Sequence, residues 1–373
     1  MKNITISDIK KNNLSQIYNL IYANEEISKQ EIAQALSLSL PTVTTKLNQL
    51  EDKGLIIKDG VIASNVGRKA VAYKICADAK VSVGISIYKS KVDIVIIDLK
   101  GNVLSLITHQ IDFEKSDIYY KEIAYCIKDF ILEADYKNEQ ILGIAFCFQG
   151  TTSIDRENII YGKIIDSTGL SIKSFSQYLN FPCLFFHDAK SAANAEIWAR
   201  DKIADALYMS ISDYLGGAII ANSKVILGDN GHCGAIEHVQ MFPEGSRCYC
   251  GQVGCVGTKC SISSLLNSGE DIDNFFYQVR NNEGEEKERW TNFLRDLSFV
   301  CYNFHRLLDR KIILGGKLAP YLKPEDVDVM NNMATSNYVF ESKENFILLS
   351  KYQGNRFVVG AALYYVQKYL KKI

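Results

Sequence analysis

Between Asp8 and Ala23 the apolar residues Ile9, Leu14, Ile17, Tyr18, Leu20 and Ile21 recur at helical spacing, which predicts one amphipathic helix. A second helix starts at Ser28, where Ser28 and Glu31 have the spacing of a capping box, and ends near Leu36. Ser39 can cap a third, with Pro41 tolerated in its first turn. Along Pro41–Leu50 the residues Val43, Leu47 and Leu50 share one face, while Thr42, Thr44, Thr45, Lys46 and Gln49 lie mainly on the others. Gly54 ends that helix; Leu55–Ile62 reads as strand, turn and strand, Ser64–Lys69 as a basic hairpin tip, and Val71–Ile75 as the returning strand. From Val81 the pattern changes to short continuous apolar runs. Val81–Tyr88 and Val92–Leu104 read as consecutive strands with a Gly101-Asn102 turn, followed by a helix over Ile118–Glu133 and a buried strand over Ile141–Gly150. Phe181–Glu196 reads as strand, turn and helix, and Ala206–Ala221 as a hairpin. Residues 262–310 are mostly helical, interrupted by a charged loop at Asn281–Lys287; a strand at Lys311 and a last amphipathic helix, Asn355–Lys371, complete the chain.

At 373 residues the chain is too long for one ordinary core, so two or three domains are expected. A net charge of −1 gives no overall field toward nucleic acid or membrane. The charge is uneven: residues 1–74 carry ten Lys/Arg against seven Asp/Glu, a local +3. There is no secretory signal and no apolar run near the ~20 residues that span a bilayer, so a cytoplasmic protein is expected. Ten cysteines in a reducing compartment point to metal ligands and buried thiols. Cys76, Cys126, Cys147, Cys183 and Cys301 lie in apolar surroundings and are expected in the core.

The strongest chemical signal is His238, Cys248, Cys250 and Cys255, spaced H-x9-C-x-C-x4-C. Imidazole and thiolates suit a tetrahedral zinc ion, and four protein ligands leave no open position, so the expected role is structural. Gly245, Gly251 and Gly254 allow tight turns around the ion. The alternatives are disulfides, which need an oxidising compartment, or idle thiols.

The order of three helices and a basic wing predicts a winged helix-turn-helix over residues 1–75. On its third helix, Thr42, Thr44, Thr45, Lys46 and Gln49 suit phosphates and base edges of duplex DNA; Arg68 and Lys69 on the wing suit a minor groove or phosphates. The bland alternative is a helical interaction domain with a solvated polar face.

Gly234-Ala-Ile-Glu-His238 followed by Cys-x-Cys-Gly-x-x-Gly-Cys resembles the signature of the ROK family, bacterial sugar kinases and sugar-responsive repressors. Gly54-Leu-Ile and the Ser64-x-x-Gly67-Arg68 wing are similar to the N-terminal domain of its repressor branch. The resemblance implies an α/β protein with a winged helix-turn-helix followed by a two-lobed, actin-like ATPase fold. The expected division is 1–75 for the DNA-binding domain, 76–190 for the first lobe, and 191–373 for the second lobe, zinc loop and a last helix returning to the first lobe.

The same resemblance exposes departures. Where the kinases have Asp-x-Gly-Gly-Thr against phosphate, this chain has Ser86-Ile87-Tyr88-Lys89-Ser90. Where they have a Gly-rich phosphate loop, only Gly216-Gly217 remain, beside Asp213. Lys311–Lys317, with Gly315-Gly316, resembles the turn flanking adenine and reads equally as plain strand-to-helix punctuation. Asp188 matches the catalytic base and could equally cap the helix after it; Gly150 falls beside the cleft. Of the implied sugar contacts Asp188 and His238 match, whereas His187, Ala235 and Gly257 replace polar partners. Each sugar hydroxyl left unpaired costs about 1–3 kcal/mol.

The expectation is therefore a non-enzymatic transcriptional regulator, a repressor of carbohydrate-related genes, that binds an inverted-repeat operator in double-stranded DNA as a homodimer or dimer of dimers. Its effector pocket would comprise Gly150, His187, Asp188, Glu237 and His238 and take a sugar or sugar derivative. The alternatives are an ATP-dependent sugar kinase of the ROK hexokinase type and a zinc-stabilised interaction protein.

Overall fold

The computed structural model describes residues 6–62, 70–200, 203–335, 345–352 and 356–373. Its N-terminal unit begins with α1 (Ile6–Ala23), which buries Ile17, Tyr18 and Ile21. After β1 (Ile27–Ser28), the capping box forms as the spacing predicts: Glu31 N–H donates to the Ser28 hydroxyl (3.3 Å), and Ser28 N–H donates to the Glu31 carboxylate (2.8 Å). Helices α2 (Lys29–Ala35) and α3 (Leu40–Asp52) follow, the latter capped by Ser39 with Pro41 in its first turn. Val43, Leu47 and Leu50 are fully buried. Strands β2 (Ile56–Ile62) and β3 (Ala70–Ile75) pair antiparallel, giving the sheet order β1-β3-β2. This is a winged helix-turn-helix. The expected wing tip, with Arg68 and Lys69, lies outside the described residues.

The first of two larger sheets opens with an antiparallel meander, β4 (Val81–Ile87), β5 (Val92–Ile97) and β6 (Val103–His109). Helix α4 (Asp117–Glu133) crosses to β7 (Ile141–Phe148), parallel to β4. A small hairpin, β8 (Thr151–Thr152) and β9 (Ile159–Tyr161), and a single turn, α5 (Lys173–Ser176), lead to β10 (Cys183–His187), parallel to β7. The order is β10-β7-β4-β5-β6. Parallel strands joined by helical crossovers are buried on both faces, hence their continuous apolar runs.

The chain then enters α6 (Asp188–Ala199) and a second sheet. This comprises β11 (Ala206–Ile211), β12 (Leu215–Ala221), β13 (Lys224–Val225), β14 (Lys311–Gly315) and β15 (Ile347–Leu349), ordered β13-β12-β11-β14-β15. Helices α7 (Ile262–Leu265), α8 (Ile272–Asn281), α9 (Glu285–Leu308) and α10 (Pro324–Thr335) lie between β13 and β15 in the chain; all four contribute to the same core as β11 and β14. The charged loop expected up to Lys287 is shorter than its composition suggests. Glu285, Glu286 and Glu288 sit in the first turn of α9, where carboxylates favour a helix N-terminus. The cysteine expectation is corrected in part. Cys147 and Cys301 are buried, but Cys76, Cys126 and Cys183 are only half-buried, because they sit at element ends or a helix flank rather than inside a layer; Cys260, not anticipated, is fully buried. Among the described residues no helix is long and apolar enough to cross a membrane.

Helix α11 (Arg356–Leu370) joins these parts: it packs against α6 and returns to β4, β5 and β7. The approach is close enough that a Cβ on Gly360 would collide with the Ser191 carbonyl of α6, and one on Gly84 with Val358. Glu196, fully buried in α6, accepts from the Ser350 hydroxyl and from Lys351 and Tyr352 N–H (2.9 and 3.1 Å) and pairs with Arg200, fixing α6 to the end of β15. Tyr369 and Leu370 in its last turn, and Ile373 beyond it, pack on the core of the N-terminal unit, and the Tyr22 hydroxyl donates to the Leu99 carbonyl (2.7 Å). The head is thereby seated on the first sheet's lobe. Gly360→Ala should destabilise the whole protein by about 1–3 kcal/mol, read as a lower urea midpoint, since neither backbone can retreat.

Candidate functional site

The loop from Val239 to Cys255 folds back on itself. Gln240 pairs with Cys255 and Arg247 with Val253, while Met241 and Phe242 N–H both donate to the Gly254 carbonyl at 3.1 Å. Gly254 has φ 78°, and a Cβ there would strike the Phe242 carbonyl, so only glycine closes this turn. Ligand atoms of His238, Cys248, Cys250 and Cys255 lie within 4.8 Å of one another. Cys248 Sγ is 3.7 Å from His238 Nδ1, and Cys250 Sγ is 3.7 Å from Cys255 Sγ. A tetrahedron with zinc–sulfur bonds of ~2.3 Å has edges of about 3.7 Å, so the donor set fits zinc in spacing as well as in chemistry.

His238 stands at the junction of this loop and a cleft of ≈ 420 Å³. All the predicted pocket residues, Gly150, His187, Asp188, Glu237 and His238, line that cleft. Gly150 comes from the end of β7, and His187 and Asp188 from the β10–α6 junction. His187, not Asp188, caps α6: its Nδ1 accepts from Lys190 N–H at 3.5 Å. Burial holds His187 neutral, with its pKa pushed down to about 3. The Asp188 carboxylate accepts from Ala189 N–H at 2.7 Å, and burial raises its pKa to about 6. Glu237 is raised to about 7 by burial, with the Asp188 charge contributing; among the described residues its Oε2 has no hydrogen-bond partner. His238 Nε2 lies 3.8 Å from Glu237 Oε1.

Sequence reading did not anticipate the aromatic wall. Tyr161, Tyr214 and Tyr249 line the cleft; the Tyr249 ring lies 5.1 Å from the His238 ring and 5.6 Å from Tyr214. These tyrosines come from three segments far apart in the chain and follow no periodicity that could have marked them. The donor and acceptor density, with aromatic faces and paired carboxyls, suits a small polyhydroxylated ligand.

On the head, Thr45 and Gln49 of α3 are exposed, and Thr42, Thr44 and Lys46 half-buried along its flanks. The Thr44 and Thr45 hydroxyls donate back to Leu40 and Pro41 carbonyls (2.7 and 3.0 Å), and Lys46 Nζ donates to Gln49 Oε1 (3.0 Å). Asn48, omitted from the sequence expectation, is exposed beside Gln49.

A winged-helix head seated on a two-lobed, sugar-kinase-like frame with a Cys/His loop at its cleft defines a recognisable class. The chain belongs to the ROK family, whose model matches residues 82–368; a winged helix-turn-helix DNA-binding model matches residues 12–57. It is 27% identical over 261 residues to the DNA-binding transcriptional dual regulator NagC of Escherichia coli K12, a match covering 69% of this chain and 64% of that protein's length. It is 26% identical over 264 residues to the xylose repressor of Bacillus spizizenii, covering 70% and 68% of the two chains. Among solved structures, a ROK family transcriptional regulator homologous to the E. coli Mlc protein superposes with TM-score 0.73 at 19% identity, covering 98% of this chain and 97% of the other. A ROK glucokinase from Streptomyces griseus, solved with glucose and AMPPNP, superposes with TM-score 0.65 at 19% identity over 76% of this chain and 98% of the enzyme.

Metal analysis of the purified chain should find about one zinc per chain, lost in Cys255→Ser together with several degrees of Tm; a metal-free wild type of unchanged Tm would contradict the assignment. The Asp188 pKa lies above its unfolded value of 3.8, so its contribution to stability is full below that value and lost as pH rises through about 6. Asp188→Asn should therefore raise Tm near pH 8 by on the order of a few degrees, and the gain should vanish toward pH 4.

Proposed function

We propose that the protein is a cytoplasmic transcriptional regulator, a repressor of carbohydrate-related genes, whose ROK domain senses a ligand and no longer transfers phosphate. The proposed division is head 1–75, first lobe 76–190 and second lobe 191–373. Zinc would be held by His238, Cys248, Cys250 and Cys255, closing the wall of the effector cleft. The observation that carries the reading is the polar outer face of α3 on a head packed directly against α11 and the Leu99 turn. Thr42, Thr44, Thr45, Lys46 and Gln49, with Arg68 and Lys69 from the wing, would contact an inverted-repeat duplex bound by a homodimer or a dimer of dimers.

Two features of the frame speak against phosphotransfer. In the first, Tyr88 N–H donates to the Lys91 carbonyl (2.9 Å), and Lys91 Nζ lies 4.7 Å from the Tyr88 ring centre. This closes the β4–β5 turn, which by family resemblance would meet phosphate. In the second, Asp213 and Lys317 form an ion pair that spans the two turns resembling the phosphate and adenine loops. A carboxylate in that position repels nucleotide phosphates.

The cleft supports a sugar or sugar-derivative effector. Gly257 leaves room for Glu237: a side chain at 257 would start 3.3 Å from the Glu237 Cβ. Relatives named for N-acetylglucosamine and xylose support the carbohydrate class. Ligand binding between the lobes would bias α6 and α11, and through α11 the head.

Selection of genomic duplex fragments by the purified protein, followed by fluorescence anisotropy, tests the reading. The expected outcome is salt-dependent binding that Gln49→Ala weakens by about 1–3 kcal/mol and Lys46→Ala weakens with a shallower salt slope. Failure to retain any duplex, or hexose-dependent ATP turnover abolished by Asp188→Asn, would reverse it.

A further inference from the structure

A second cavity, ≈ 460 Å³, opens on the other side of His187, among the β8–β9 loop, α6, β13 and α11. Arg156, Lys190, Lys224 and Lys371 line it, and no Asp or Glu does. Arg156 is the informative residue. Its guanidinium carbon lies 4.4 Å from the Phe186 ring centre and 4.7 Å from that of Tyr364, so two aromatic faces hold the planar group. Its backbone is bonded to Ser153 and Phe185, but among the described residues its guanidinium has no hydrogen-bonded or ionic partner. The other half-buried arginines differ: Arg200, Arg280 and Arg289 each pair with a carboxylate, on Glu196, Asp326 and Glu270.

Lys190 Nζ donates to the Gly231 carbonyl, and the charges near it are Arg156 on one side and the cleft carboxyls of Glu237 and Asp188 on the other. Burial lowers the pKa of both Arg156 and Lys190; for Lys190 the charge of Arg156 adds to the effect, while Cys233, Glu237 and Asp188 oppose it. Four cations around one concave, partly desolvated cavity with no carboxylate among its described lining residues repel one another, and an anion relieves that repulsion. A fixed fork of guanidinium donors matches the oxygens of a phosphate, and several converging cations favour a dianion over a monocarboxylate. The volume suits a small metabolite.

We propose that this cavity binds a small phosphomonoester, at a site separate from the sugar cleft. Its floor is α11: Tyr364 and Lys371 line the cavity, and Tyr369 and Leu370, between them, pack on the core of the head. An anion held by Arg156, by Lys190 of α6 and by Lys371 ties the end of α11 to α6 and the β8–β9 loop and bears on the seating of the head. The site itself does not depend on the DNA-binding reading.

Titration calorimetry of the full chain with inorganic phosphate and with glycerol 3-phosphate, at fixed ionic strength with glycerol as the neutral control, tests this. Saturable binding of glycerol 3-phosphate is expected, about tenfold or more weaker in Arg156→Gln. Lys224→Gln, at an exposed position, should weaken it several-fold with Tm unchanged, which covers the case of a misfolded Arg156 variant. Hydrogen exchange with ligand bound should slow along Tyr364–Leu370 and in α1, and not in the Cys248–Cys255 loop. No saturable binding overturns the proposal, as does affinity that both variants leave intact. Protection confined to the Cys248–Cys255 loop would assign the anion to the sugar cleft and equally overturn it. So would an oligomer that dissociates in Arg156→Gln without phosphate binding, because the cations would then face a second copy.

Discussion

The backbone contact between α6 and α11 at Gly360 sets the geometry of nearly everything else. With no side chain at that position, α11 lies against the Ser191 carbonyl, and both helices fit between the two sheets. The N-terminus of α6 delivers His187 and Asp188 to the cleft, and its C-terminus holds the end of β15 through Glu196. The start of α11 packs on β4 and its end on the head. This one crossing therefore joins the cleft, the second lobe and the head through contiguous packing. Packed helices change position by small sliding steps rather than by continuous deformation.

The cleft is built from groups whose charged states are disfavoured. Asp188 and Glu237 are both raised by burial, and His187 is held neutral by the same cause. Such carboxyls can donate as well as accept hydrogen bonds, which suits hydroxyl-rich ligands. The Cys/His loop keeps this arrangement in place through a run of backbone hydrogen bonds and a turn that tolerates only glycine at 254. Tyr249 follows directly on a thiol of the loop, so the Cys/His cluster and the aromatic wall are one structural unit.

A two-lobed frame of this kind closes around ligands, and closure can be read out chemically or mechanically. In this chain the turns that resemble nucleotide loops are filled by Tyr88 and bridged by Asp213 and Lys317. The head, for its part, is held by apolar packing of Tyr369, Leu370 and Ile373 and by the Tyr22 hydrogen bond, not by a slack linker.

Features with local causes were legible in the sequence. The capping box at Ser28 and Glu31, the Ser39 cap and the buried stripe of Val43, Leu47 and Leu50 depend on residues within one or two turns. The Cys248–Cys255 ligands with their glycines depend on a single loop. What spans hundreds of residues was not legible. Tyr161 beside His238, Glu237 against Gly257, Arg156 between Phe186 and Tyr364, and Asp213 with Lys317 arise from strand order and helix crossing, which no local spacing encodes. The chain's own pattern determined which elements form and which side of each is apolar, because propensity and periodicity act over a few residues. The tertiary structure decided which side chains share a cavity, because only the packing of α6 and α11 between the sheets brings those distant segments within contact range.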